Sequence, residues 1–276
     1  MHPIRLKSKV TIEGPNLWGL NAKLTFYPSG SKSEWIWWVR NSFNISMSPA
    51  IVDKRARRIR LYFEGKKLQI FEHIGALRFF GLCGVYIEST PWPPYHGRSL
   101  ELWQAIKDHC EEDTSKEINW YTITEPVRWT YSKLRNNQRA FTEIRPNTKK
   151  ELKIKIMCSY PGLEACEVNF TFPNREILEE LCSVYNPGWP PILYHLLKVP
   201  SFFGWSHYKR VFWLQDYSKV EASVKFAHHR ALDLLGALSL LCRDGLLSAD
   251  VTSICSGYEA DINAIIQADK SLYRLD

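Results

Sequence analysis

Apolar and polar residues alternate through residues 8–28, with breaks at Gly14-Pro15-Asn16 and Pro28-Ser29-Gly30. A period of two between turn residues predicts half-buried strands joined by turns. Trp35-Ile36-Trp37-Trp38-Val39 predicts a further short aromatic strand. Arg58-Ile59-Arg60-Leu61-Tyr62-Phe63 alternates again before Gly65 turns the chain. From Glu72 the period lengthens, and Ile74, Leu77 and Phe79 or Phe80 fall on one helical face. Gly81 and Gly84 break that helix, and Val85-Tyr86-Ile87-Glu88 predicts a buried strand. Ser99 is placed to cap a helix over 100–109, whose Leu102, Trp103 and Ile106 share a face.

Glu111-Glu112-Asp113-Thr114-Ser115-Lys116 is the most polar stretch and the natural boundary. Strands are then predicted at 127–131, 140–144, 152–158 and 168–172, and Asn174 caps a helix through Val184. The proline-rich loop at 187–191 opens a stretch to residue 215 that is dense in Trp, Phe and Tyr. A long helix follows from about Ser218 to Leu241, then a short strand at 251–254, a Ser256-Gly257 turn and a final helix. Both halves run strands first and helices after. This predicts a duplicated α+β chain, with one domain over 1–118 and a second over 119–276.

The 276 residues are enough for a large core, and the eleven Trp are scattered, as in core layers and an apolar-walled cleft. A net charge of +7 suits an anionic partner, such as a phosphorylated or nucleotide-linked small molecule or an acidic carrier protein. The basic residues are spread out and no nucleic-acid-binding signature accompanies them, so nucleic acid is not expected as a partner. The seven Cys form no CxxC pair, and Cys83, Cys158, Cys166, Cys182, Cys242 and Cys255, set among apolar neighbours, read as small buried hydrophobes in a reducing compartment. No apolar leader opens the chain, and no uninterrupted apolar run is long enough to span a bilayer. The expected location is cytoplasmic, without membrane insertion.

The chemistry concentrates in Ala227-His228-His229-Arg230-Ala231-Leu232-Asp233 and, far upstream, Glu72-His73. His229 and Asp233 are four residues apart on a predicted helix, so both leave one face a turn apart. An imidazole and a carboxylate so placed can grip one metal ion, and His73 completes a three-ligand set with an open fourth position. Glu72, beside a ligand, is then the natural base for a water held at the metal. His228 lies about 100° around the helix from its neighbour and reads as packing.

The surrounding text resembles a known family. Phe71-Glu72-His73-Ile74-Gly75-Ala76-Leu77, the glycine break and the following strand resemble UDP-3-O-acyl-N-acetylglucosamine deacetylase, the zinc amidase of lipid A synthesis. His229-Arg230-Ala231-Leu232-Asp233-Leu234-Leu235-Gly236, Phe203-Gly204 and Ser256-Gly257 are similar to further segments of that family, in the same order. The resemblance implies two α+β domains, each a sheet with two helices, packed as a β-α-α-β sandwich with the helices inside. It marks the aromatic stretch at 187–215 as an insert in the second domain. It implies that His73, His229 and Asp233 bind zinc and that Glu72 is the general base. Iron(II) accepts the same ligands.

The departures from the family concern the groups around the metal. Its general-acid histidine falls at Tyr258, and the aspartate supporting that histidine falls at Ala237. Its oxyanion-stabilising threonine falls at Phe202, beside Phe203. A loop aspartate becomes His96, and the lysine after the zinc histidine becomes Arg230. Phe202, Phe203, Arg230 and His96 are thus the substrate-facing candidates. Glu72 then serves as both base and acid with Tyr258 as a weak donor or oxyanion partner, or a different reaction is run. Three functions follow: a zinc-dependent N-deacylase acting on a small N-acyl metabolite, a metal-binding scaffold without hydrolysis, or the lipid A enzyme of a divergent lineage.

Overall fold

Strand alternation and helical periodicity assemble into two sheets of the same design. The computed structural model describes residues 1–16, 20–30, 32–39, 43–54, 58–94, 98–131, 140–159, 163–188, 211–213 and 216–276. In the N-terminal half the sheet order is Val10–Pro15, Asn21–Pro28, Val85–Ser89, Trp35–Val39, Phe43–Ser46. In the C-terminal half it is Val127–Tyr131, Ala140–Pro146, Ala249–Ile254, Leu152–Cys158, Cys166–Phe172. In chain order both read first, second, fifth, third, fourth, and in both the fifth strand pairs parallel to the third and antiparallel to the second. The registers match as well. Ile87 lies beside Phe26 and Trp37, and Val251 lies beside Ile144 and Ile154.

A parallel pair cannot be joined by a tight turn, so each half needs a crossover, and the crossover carries a helix. In the N-terminal half this is α1 (Phe71–Gly75), continued by a 3-10 turn over Ala76–Phe80. α2 (Ser99–Lys107) follows the fifth strand. In the C-terminal half the crossover holds α3 (Arg175–Ser183) and α4 (Lys219–Leu238), and α5 (Tyr258–Ala268) follows the fifth strand. α4 packs against Leu152–Cys158 and Cys166–Phe172, α5 against Val127–Tyr131 and Ala140–Pro146, and α1 against α4, so the protein is a mixed α+β fold with one continuous buried core. No helix among the described residues is long and apolar enough to cross a membrane.

Local chemistry explains the helix boundaries in the C-terminal half. The Asn174 side chain accepts from the Ile177 N–H at 3.1 Å, and Ser218 and Glu221 form a reciprocal capping box at the start of α4. From Ala227 onward every residue of α4 except His228 is buried, as expected of a helix packed on all sides.

Four details differ from the sequence reading. The helix expected from Glu72 is a five-residue α-turn that passes into 3-10 geometry, and residues 68–85 are buried on every side rather than along one face. Ser99 is the first residue of α2 rather than its cap, and its hydroxyl is used elsewhere. The polar boundary stretch begins as a strand: Cys110–Glu112 pairs with Ile4–Leu6, which also pairs with Leu82–Cys83. The final helix is followed by a strand, Leu272–Leu275, on Trp120–Ile123, which also pairs with Leu246–Leu247. These strands of two to four residues are too short to show a period. Of the aromatic insert, Asn186–Gly188 and Val211–Trp213 pair in parallel and so bring its ends together.

Candidate metal centre

α1 and α4 cross almost backbone to backbone. A Cβ on Gly236 would stand 2.2 Å from the Glu72 Cα, and one on Gly75 would stand 2.4 Å from the Ser239 Oγ and 2.8 Å from the Gly236 carbonyl oxygen. Only paired glycines allow that approach. It sets Glu72 and His73 against the stretch of α4 that carries His229 and Asp233. The chain enters α1 through Ile70 at φ 56, a left-handed conformation rare for a β-branched residue. The Phe71 N–H to Ile59 carbonyl bond of 2.9 Å anchors that entry.

All four side chains are buried: Glu72, His73, His229 and Asp233 are 2–5% exposed. The His73 and His229 ring centroids are 6.0 Å apart, with the rings tilted by 46°. The His229 Nε2 and Asp233 Oδ1 are 3.5 Å apart, longer than a good hydrogen bond. Two ligands on a tetrahedral ion with bonds near 2.0–2.1 Å are about 3.3 Å apart, so this spacing suits a shared ion. The Glu72 Oε2, His229 Nδ1 and Asp233 Oδ1 are buried without a hydrogen-bond partner among the described residues. Buried polar atoms in this state are costly unless something completes them. Among the described residues no three His, Cys, Asp or Glu side chains already stand as a ready-made metal cluster. The donor set, two imidazoles and a carboxylate with unsatisfied buried atoms on His229 and Asp233, nonetheless fits a divalent ion such as zinc.

Supporting contacts distinguish the members. The Ser99 Oγ is 3.1 Å from the His73 Nδ1, so that ring nitrogen is engaged inside the protein. The Asp233 Oδ2 accepts from the Tyr258 hydroxyl at 3.0 Å and from the Arg230 Nη1 at 3.1 Å. The Arg230 Nη2 also donates to the Asp261 Oδ2 at 2.6 Å. Burial pushes the Glu72 carboxyl up to about 8, and the Asp233 charge adds to that rise. Burial, with the Arg230 charge beside it, pushes the His229 imidazole down to about 3, so the ring is held neutral, the form that ligates metals. Burial also raises the Asp233 carboxyl, and burial followed by the Asp233 charge raises the Tyr258 phenol.

The structure therefore gathers Glu72, His73, His229, Asp233, Tyr258 and Arg230 in one place. Arg230 is itself 6% exposed, inside the protein between two carboxylates. His96, Phe202 and Phe203 lie outside the described residues, as do His195 and His207. His228 faces Glu180 at 3.5 Å and meets the edge of Phe170, in a packing role. Ser99 and Asp261 join the surroundings of the site without having been singled out for it. Ser99 reads locally as a cap, whereas Asp261 does carry a signal, standing three residues after Tyr258 on the same helical face.

A search of the curated proteins found no match. The family model described as UDP-3-O-acyl N-acetylglycosamine deacetylase matches residues 4–267, nearly the whole chain and both helices of the site. The chain belongs to the UDP-3-O-acyl N-acetylglycosamine deacetylase family, a family of zinc-dependent amide hydrolases.

Proposed function

We propose that this protein is a zinc-dependent N-deacylase that cleaves the amide of a small N-acyl metabolite. The observation that carries the reading is the buried group of Glu72, His73, His229 and Asp233 at the α1–α4 crossing, in which the Glu72 Oε2, His229 Nδ1 and Asp233 Oδ1 find no hydrogen-bond partner among the described residues. His73, His229 and Asp233 would hold the ion. Zinc bound there supplies a Lewis acid that polarises an amide carbonyl and acidifies a water. In its ionised form Glu72 takes a proton at its unsatisfied Oε2 and returns one to the departing amine. The surrounding apolar core keeps bulk water from the carboxylate, which strengthens each electrostatic contact. The net charge of +7 favours an anionic substrate.

The test is zinc content together with hydrolysis. The purified protein is expected to carry one zinc. His73→Ala and Asp233→Ala lose it, while Glu72→Gln keeps the zinc and loses amide cleavage. A purified protein that refuses added zinc overturns the proposal. A zinc-loaded protein inert towards a broad N-acyl panel overturns the hydrolase reading and leaves a metal-binding scaffold. Rapid turnover of UDP-3-O-acyl-N-acetylglucosamine, above every other amide tried, identifies the substrate as the one in the family's name.

A further inference from the structure

The Asp233 carboxylate is held asymmetrically. Its Oδ2 receives two donors, the Tyr258 hydroxyl at 3.0 Å and the Arg230 Nη1 at 3.1 Å, whereas its Oδ1 receives none among the described residues and stands 3.5 Å from the His229 Nε2. The donors come from two interlocked helical pairs. Arg230 and Asp233 are three residues apart on α4, and Tyr258 and Asp261 are three apart in the first turn of α5. The Arg230 Nη2 closes the loop on the Asp261 Oδ2 at 2.6 Å, and its guanidinium carbon lies 5.5 Å over the Tyr258 ring.

Asp261 is wholly buried and well fixed. Its Oδ1 accepts from the Thr142 hydroxyl at 2.6 Å and the Ser256 hydroxyl at 3.2 Å. It also sits at the N-terminal end of α5, where the helix dipole favours a negative charge. A strand residue, a turn residue and a helix terminus thus converge on one carboxylate that makes no contact with the metal set. Its partner in the site is Arg230.

We propose that Tyr258 and Arg230 are positioning residues that reserve Oδ2 of Asp233 and so present the carboxylate to the metal through Oδ1 alone, with Asp261 anchoring Arg230 for that task. A carboxylate with both oxygens available can chelate an ion and fill the position a substrate needs. Two donors on one oxygen prevent that and keep the fourth position open. The proposal also gives the tyrosine hydroxyl and the arginine charge a task inside the protein, directed at the ligand rather than at the substrate.

This inference rests on the metal site proposed above. The test compares the full-length wild type with Tyr258→Phe and Asp261→Asn, using zinc affinity by competition with a chromophoric chelator and the visible spectrum of the cobalt(II)-loaded protein. Tyr258→Phe keeps the ring and removes only the donor. It is expected to weaken zinc binding by about 10- to 100-fold and to shift the cobalt bands as Asp233 turns towards chelation. Asp261→Asn, which loosens Arg230, is expected to move the same bands in the same direction. Zinc affinity and cobalt spectrum both unchanged in Tyr258→Phe overturn the inference. If amide cleavage falls in that variant all the same, the hydroxyl acts on the substrate. A wild type that binds neither metal overturns the site reading itself, and this inference with it.

Discussion

In the N-terminal half Glu72 and His73 stand on a helix of five residues, whereas in the C-terminal half His229 and Asp233 stand on one of twenty. The sheets beneath them share strand order and sense, so the contrast lies in the crossovers. α4 is long enough, and well enough capped by Ser218 and Glu221, to place His229 and Asp233 by helical periodicity. α1 is far too short to hold itself. It begins at the left-handed Ile70, is tied to Ile59, and lies against the backbone of α4. One half of the site is built by a helix, and the other is built by what surrounds one.

The crossing of α1 and α4 is where the comparison breaks most sharply. Gly236→Ala puts a methyl 2.2 Å from the Glu72 Cα, a backbone atom with nowhere to move. A cost of about 3 kcal/mol in denaturant unfolding is expected, with loss of bound zinc, because the short helix is displaced before the long one. Gly257→Ala, whose added Cβ meets nothing within 4 Å, is the control. Equal stability of the two variants would falsify the tight crossing.

The sheets allow a matched pair of cuts. Ile87 and Val251 occupy equivalent places on the two central strands, at 0% and 2% exposure. Ile87→Ala is expected to cost about 3 kcal/mol, and Val251→Ala somewhat less for the smaller side chain. The buried residues of the two halves form one cluster, so both variants are expected to lower the same single transition. If calorimetry shows two transitions and each variant moves only one, residues 1–118 and 119–276 fold as separate units.

The contrast between the halves also sets what could be read from the chain. α3 and α4 announce themselves through Asn174 and Ser218, and the paired strands through alternation, because those signals are local. His229 and Asp233 are readable for the same reason, since helical spacing alone puts them together. Glu72 and His73 carry little weight until the resemblance supports them, because a five-residue helix buried on every side shows no amphipathic period. Arg230 reads as a charge directed at a substrate. Its burial depends on Asp261, 31 residues away, which no local pattern reveals. The Ser99 hydroxyl looks like a cap in the sequence for a related reason. Capping is a local rule, whereas the bond to His73 spans 26 residues and exists only once α1 and α2 are packed.

That bond gives the mildest test of how each half supports its candidate ligands. Asp233 is held by two donors from two helices, whereas His73 takes its Nδ1 contact from the hydroxyl of a fully buried serine. Ser99→Ala is therefore expected to weaken zinc binding by about tenfold, the low end of what a supporting contact supplies. The metal-free protein should lose only about 1 kcal/mol, the usual worth of one neutral hydrogen bond. Ser99→Thr, which keeps a hydroxyl at the same position, should recover part of the affinity. The measurement is chelator competition beside thermal unfolding of the metal-free form. Equal losses of stability and affinity would mean that Ser99 serves α2 packing alone, and that α1 is aligned entirely by its contact with α4.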